Sequence, residues 1–200
     1  MTPRKKLHNK FFMRCRRLGI KLSRYIISVS IQRQQMELYH CIHKYLGKRD
    51  YRTLDGEPAN TLLFKVSHIK TYRISTSRFG IGQLSGSNKT PLGLHRIRKK
   101  VGAGYPIGTV FSSRKEAGLT WQGVPNAGIA HRIMWLEGLE SGFNRGGLVD
   151  SYSRYIYIHG VGDETTLGRP ASRGCIHMAA DDLMPLFQKI LTGTLVWIAY

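Results

Sequence analysis

Only one stretch of this 200-residue chain, Asp181 to Ile190, carries apolar residues at helical spacing. Leu183, Leu186, Phe187 and Ile190 fall at i, i+3, i+4 and i+7, behind two acids in the first turn. Pro185 lies close enough to that start to be tolerated. The other apolar segments are short, rich in β-branched and aromatic residues, and bounded by turn chemistry, so the chain is committed to a mainly β fold. The 22 glycines against 7 prolines fit a turn-rich sheet protein better than a helix bundle.

The pattern predicts a strand over 25–31 with a hairpin partner over 36–39, then separate strands over 62–66 and 70–75. Further strands are expected over 94–98, 129–136, 154–158 and 194–198. Residues 40–60 read as a polar insertion ending in the turn Leu54-Asp55-Gly56-Glu57-Pro58. Residues 79–93 form a Gly/Ser/Asn loop, and 99–129 is a long glycine-punctuated stretch. A loop of that length in a compact domain serves as a lid or groove wall. Tyr105 and Trp121 are candidates for such a wall, whereas Trp135, within an apolar strand, reads as core.

A chain of this length buries roughly 70% of its unfolded surface in one domain and needs neither disulfides nor metal to do so. Its 42% hydrophobic content excludes a disordered chain, and no apolar run reaches the ~18 residues of a membrane-spanning helix. Three cysteines cannot close a disulfide framework. His40, Cys41 and His43 have no second ligand pair at zinc spacing, and Gly80-Ile81-Gly82 lacks the third glycine of a nucleotide loop, so neither metal nor nucleotide binding is expected from them.

The net charge of +19 implies an anionic partner or surface, or simply a soluble basic protein. Residues 1–24 hold nine lysines and arginines without one acid, which predicts a flexible basic tail preceding a domain over 25–200. An export signal would need an apolar stretch after such a block, but Phe11-Phe12-Met13 is cut off by Arg14, so none is expected. The same block would bind nucleic acid in a salt-dependent way. No nucleic-acid motif or aromatic interleaving accompanies it, so nucleic acid is not the expected partner.

Reactive residue types concentrate in one region. Tyr155 to Gly160 is a strand ending in His159-Gly160, and Ser172-Arg173-Gly174-Cys175-Ile176-His177-Met178 puts a cysteine after a glycine, just before the predicted helix. A thiol there can lie among free backbone N–H groups that favour thiolate or hold an oxyanion. A histidine at a strand end can accept its proton. The plain alternative is a small buried hydrophobe and a hydrogen-bonded histidine.

His159-Gly160, followed sixteen residues after the histidine by Cys175 within Ser172 to Met178, resembles the signature of the L,D-transpeptidase catalytic domain (YkuD-type) family. That signature reads His-Gly, a loop, then Ser/Thr-His-Gly-Cys-Ile/Val-Arg. The resemblance extends to Tyr72 through Ser77, to Ser87 through Gly93 with its Thr-Pro-Leu-Gly, and to Arg132 through Ile158, similar to one proteobacterial branch. It implies a β-sandwich of mixed sheets with long groove and lid loops over 25–200. It also implies cross-linking of peptidoglycan stem peptides, with no metal or cofactor. On the matching positions Cys175 is the nucleophile, His159 the base, and the carbonyl of Gly160 orients the imidazole. Ser172, Arg173, Gly174 and His177 belong to the substrate pocket. The cysteine would attack the carbonyl before the terminal D-Ala, and the thioester would pass to an amine of a neighbouring stem.

The chain departs from that pattern at two positions. Arg173 stands where the family has histidine, and His177 where it has arginine. Arg173 is expected to supply a cation beside the thiol and lower its pKa, whereas His177 cannot give arginine's bidentate grip on a carboxylate. A carboxypeptidase that passes the thioester to water, and a peptidoglycan-binding pseudoenzyme, are the alternatives the exchange leaves open. The resemblance implies the periplasm or cell envelope, where anionic polymers would suit the charge, although no export signal is visible; the cytoplasm is the alternative.

Overall fold

A computed structural model describes residues 7, 9–45 and 62–200 of the chain. Its elements are, in order, α1 (Asn9–Arg17), β1 (Tyr25–Ser30), β2 (Gln35–Tyr45), β3 (Leu62–Ser75), β4 (Gly93–Val101), β5 (Thr109–Ser112) and β6 (Lys115–Leu119). They continue with β7 (Ala130–Gly138), β8 (Tyr157–Gly160), β9 (Ile176–Met178), α2 (Ala180–Lys189) and β10 (Leu195–Ala199). All ten strands belong to one sheet in the order β4-β10-β1-β2-β3-β9-β8-β7-β5-β6, and β4 also pairs with β7. That extra pairing closes the sheet into a barrel-like sandwich from which the β5–β6 hairpin projects. Two pairs, β1–β10 and β8–β9, are parallel, so the sheet is mixed, as expected.

The interior follows from alternation along the strands. Ile27, Val29, Met36, Leu38, Ile74, Met134, Leu136, Ile158, Ile176 and Met178 point to one cluster. Helix α2 supplies Leu183, Leu186 and Phe187 to it. Lys100 fastens the end of α2 by donating from Nζ to the carbonyls of Phe187 and Ile190, at 2.5 and 2.7 Å, which satisfies carbonyls that the helix leaves without partners.

The structure corrects the sequence reading in five places. Residues 9–17 form a helix, where a flexible tail was expected. Phe11 and Cys15, one turn apart, are buried with Ile26, Tyr39, Leu94 and Trp197, while the arginines of the last turn face the negative end of the helix dipole. Strand β2 runs on to Tyr45, so the polar insertion cannot begin at residue 40; residues 46–61 lie outside the described residues. Strand β3 is continuous where two strands were expected. Lys70 pairs with Leu38 but His68 with Tyr39, so a bulge takes up Ile69 and mimics a break in the alternation. The stretch 99–129 contains the last residues of β4 and the β5–β6 hairpin. Its turn residues Ser113 and Arg114 have φ of 48° and 68° without the Asn-Gly that usually signals such a turn. Strand β8 starts at Tyr157, because Tyr155 has φ 57° and interrupts the extended chain.

Candidate active site

Strands β8 and β9 bring the two halves of the sequence motif side by side. His159 is the register partner of His177, and Ile158 of Ile176. The isoleucines face the core; by alternation Tyr157, His159, Cys175 and His177 share the opposite face. The ring centroids of His159 and His177 are 4.8 Å apart. Cys175 packs against a cluster of Phe111, Ile133, Trp135 and Tyr157. It is half-buried against this largely aromatic cluster.

The turn before Cys175 is held by a chain of hydroxyl groups. Thr90 donates from Oγ1 to the carbonyl of Gly174 at 3.0 Å and accepts from the backbone N–H of Ser77 at 3.0 Å. Ser77 donates to the carbonyl of Asn88, and Ser172 donates to the carbonyl of Cys175 at 2.6 Å. Gly174 has φ 119°, a conformation that a side chain would strain. The Tyr72–Ser77 and Ser87–Gly93 segments, which carried part of the family resemblance, therefore clamp the loop that presents the thiol.

His159 is buried, and its Nδ1 lies 2.8 Å from the carbonyl oxygen of Gly160. A carbonyl only accepts, so Nδ1 carries the proton and Nε2 of the neutral ring is left as the proton acceptor. Behind Gly160 packs His131. Its Nδ1 accepts from the N–H of Gly108 at 2.8 Å, so Nε2 carries the proton toward the carbonyl of Val161 at 3.2 Å. His131 thus pins the segment after His159 to the loop that leads into β5.

Burial dominates the electrostatics. It pushes the Cys175 thiol up to about 11, against the opposing influence of a backbone hydrogen bond from Tyr157 and the positive charge of Arg154. It pulls His159 down to about 3, helped by His177 and opposed by the bond to Gly160, and pulls His177 down to about 4. The thiol donates to the carbonyl of Tyr155 at 3.4 Å. Burial thus favours the uncharged form of all three groups.

Two expectations change. Cys175 does not sit at the N-terminus of α2, because β9 intervenes and the helix begins at Ala180. The cation felt by the thiol is Arg154 rather than Arg173, which is exposed. Arg154 is also fixed to the carbonyls of Gly82 and Lys89, at 3.3 and 2.7 Å. Sequence reasoning missed the parts played by Arg154, Thr90, Ser77 and His131, since each acts on residues far away in the chain. Ser172 and Gly174 lie in the turn that carries Cys175, and His177 lies beside His159, with a buried Nδ1 that has no hydrogen-bond partner among the described residues. Among the described residues no cluster of His, Cys, Asp and Glu is arranged to hold a metal ion.

A family model of the L,D-transpeptidase catalytic domain (YkuD) matches residues 57–198, which include the whole His159–Met178 motif. The chain belongs to this family. The chain is similar to the probable L,D-transpeptidase YcfS of Escherichia coli K12, with 22% identity over 158 residues that cover 72% of this chain and 45% of YcfS. It thus spans about half the length of that curated relative. Among solved structures it is similar to Bd1075 of Bdellovibrio bacteriovorus, with a TM-score of 0.50 and 15% identity, covering 89% of this chain and 48% of that one. An L,D-transpeptidase from Mycobacterium smegmatis gives a TM-score of 0.46 at 12% identity, over 88% of this chain and 59% of its own. The L,D-transpeptidase family thus rests on the family match, and the mainly β fold expected from the sequence is the fold observed.

Proposed function

We propose that the protein is a cysteine-dependent peptidoglycan L,D-transpeptidase. The observation that carries this reading is the fixed tautomer of His159: its Nδ1–H is committed to the carbonyl of Gly160, so Nε2 is the ring nitrogen left to act as a base. In the first half-reaction Nε2 takes the Cys175 proton as sulfur attacks the stem-peptide carbonyl before the terminal D-Ala. The C–N bond breaks, the imidazolium returns the proton to the leaving amine, and a thioester remains. In the second half-reaction an amine from a neighbouring stem gives up a proton to His159 and displaces the sulfur, re-forming an amide. His159 acts in both halves as general base and then general acid, the role its anchored ring presents.

His177 fits a substrate-contacting role. Its side chain is partly exposed on the sheet face that carries Cys175. Passage of the thioester to water would make the same site an L,D-carboxypeptidase. No described helix is long and apolar enough to cross a membrane, and the reading assigns the protein to the cell envelope, where its substrate lies and where anionic polymers suit its charge. Incubation with tetrapeptide muropeptides tests the reading. Cross-linked dimer with release of D-Ala supports the transpeptidase, tripeptide alone indicates the carboxypeptidase, and unchanged substrate contradicts both.

A further inference from the structure

The β5–β6 hairpin carries a cation to the rim of the thiol pocket. The guanidinium of Arg114 lies 5.0 Å over the ring of Trp135 and 4.9 Å over that of Tyr155, and one N–H donates to the Tyr157 hydroxyl at 3.3 Å. Trp135 stacks on Tyr152 at 4.1 Å and 15°, and Arg98 lies over Tyr152 at 5.2 Å. Trp135 and Tyr157 are the same residues against which Cys175 packs, and Tyr155 supplies the carbonyl that the thiol contacts. Arg114 therefore rests on the wall of the nucleophile's own pocket.

The neighbouring cations are otherwise engaged. Arg98 is paired with Glu137 at 2.8 Å. Arg154 holds two loop carbonyls, and Arg132 donates to the carbonyls of His131 and Tyr105 at 2.6 Å each. His177 stands where the family pattern has the permanent charge of an arginine. Arg114 alone of these combines a single hydrogen bond with no carboxylate partner among the described residues, which leaves four of its five N–H donors unused there. Its aromatic bed holds the planar group in place, which lowers the ordering cost of binding. A fork of free donors on a permanent cation matches a carboxylate bidentately.

We infer that Arg114 is a specificity-determining residue that binds a carboxylate of the acyl-donor peptide beside the bond attacked by Cys175, in place of the arginine absent at position 177. The inference rests on the acyl-transfer reading above. Two carboxylates of the donor carry the required chemistry: that of the terminal residue which leaves, and that on the side chain of the diamino acid.

The test compares wild type, Arg114→Gln and Arg114→Lys on three tetrapeptide donors: the free acid, the C-terminal amide and the side-chain amide. D-Ala release gives kcat and KM, and calorimetry on the Cys175→Ala background gives affinity without turnover. On the free acid, Arg114→Gln is expected to raise KM and weaken binding about 10- to 100-fold, the worth of a charge-assisted pair, with kcat little changed. Arg114→Lys should recover part of the loss. On one of the two amides wild type and Arg114→Gln should coincide, and that amide identifies the carboxylate. Equal affinity of the two proteins for the free acid, or the same Arg114→Gln loss on all three donors, overturns the inference. Absence of turnover by wild type with the binding difference intact overturns the catalytic reading instead.

Discussion

The imidazoles of His159 and His177 are register partners on adjacent parallel strands, with centroids 4.8 Å apart, yet only His159 has its Nδ1 anchored, to the Gly160 carbonyl. Both histidines lie on the sheet face that carries Cys175, and the anchor distinguishes them. His159→Ala should lower kcat by ~10² or more, the usual span for a lost general base. His177→Ala should act mainly on KM, and His177→Arg should be tolerated. Steady-state kinetics on a tetrapeptide donor check this, and a dead His177→Ala beside a nearly normal His159→Ala would reverse the assignment.

The thiol should be slow to alkylate at neutral pH. With burial lifting it to about 11 and Arg154 opposing that lift, the rate of Cys175 modification by iodoacetamide should climb with pH well above 8. Replacing Arg154 by methionine removes the favourable charge and should push the climb to still higher pH. Peptide mapping of the adduct against pH gives the profile; a thiol already ionised at pH 6 would mean that a preformed ion pair exists.

Thr90 should matter for stability out of proportion to its size. Thr90→Val leaves the Gly174 carbonyl without its donor and the Ser77 N–H without its acceptor in a buried site. A cost of about 1–3 kcal/mol is expected, with Thr90→Ser recovering most of it. Denaturant melts read the difference, and a neutral Thr90→Val would show that the clamp does not hold the cysteine turn.

Acid should destabilise the fold through its buried histidines. His95 is wholly buried between the Gly93 carbonyl and Ser151, and burial pulls it down to about 4; burial lowers His131 as well. Above about pH 6.5 these rings are neutral in both folded and unfolded chains. As pH falls below that value the unfolded chain takes up protons that the folded one refuses, so stability is lost progressively toward pH 4. His95→Gln should flatten this slope in urea titrations between pH 7 and 4; an unchanged slope would remove His95 from the account.

The parts legible in the sequence were those encoded locally. The strand that ends in His159-Gly160 was marked by its β-branched and aromatic residues, and the 3.6 period of Leu183, Leu186 and Phe187 marked α2. Helix α1 was hidden because its apolar pair, Phe11 and Cys15, is embedded in a dense run of arginine, and only burial against Trp197 and Leu94 makes it a structural element. The single strand β3 was hidden by its bulge at Ile69. Within the site, the motif carried Cys175, His159 and Gly160. Arg154 and Arg114 were not legible because their relation to the thiol comes from loop and hairpin geometry rather than from spacing.

The central claim is that Cys175 forms a thioester with a peptidoglycan stem. Intact-mass measurement of wild type and Cys175→Ala incubated with tetrapeptide muropeptide and no acceptor tests it directly. The expected result is an adduct on wild type equal to the donor minus its terminal D-Ala, mapped to Cys175, with Cys15 and Cys41 unmodified in the core. Cys175→Ala should keep its fold and show neither adduct nor turnover. Substantial D-Ala release by Cys175→Ala, or an adduct confined to Cys15 or Cys41, would contradict it.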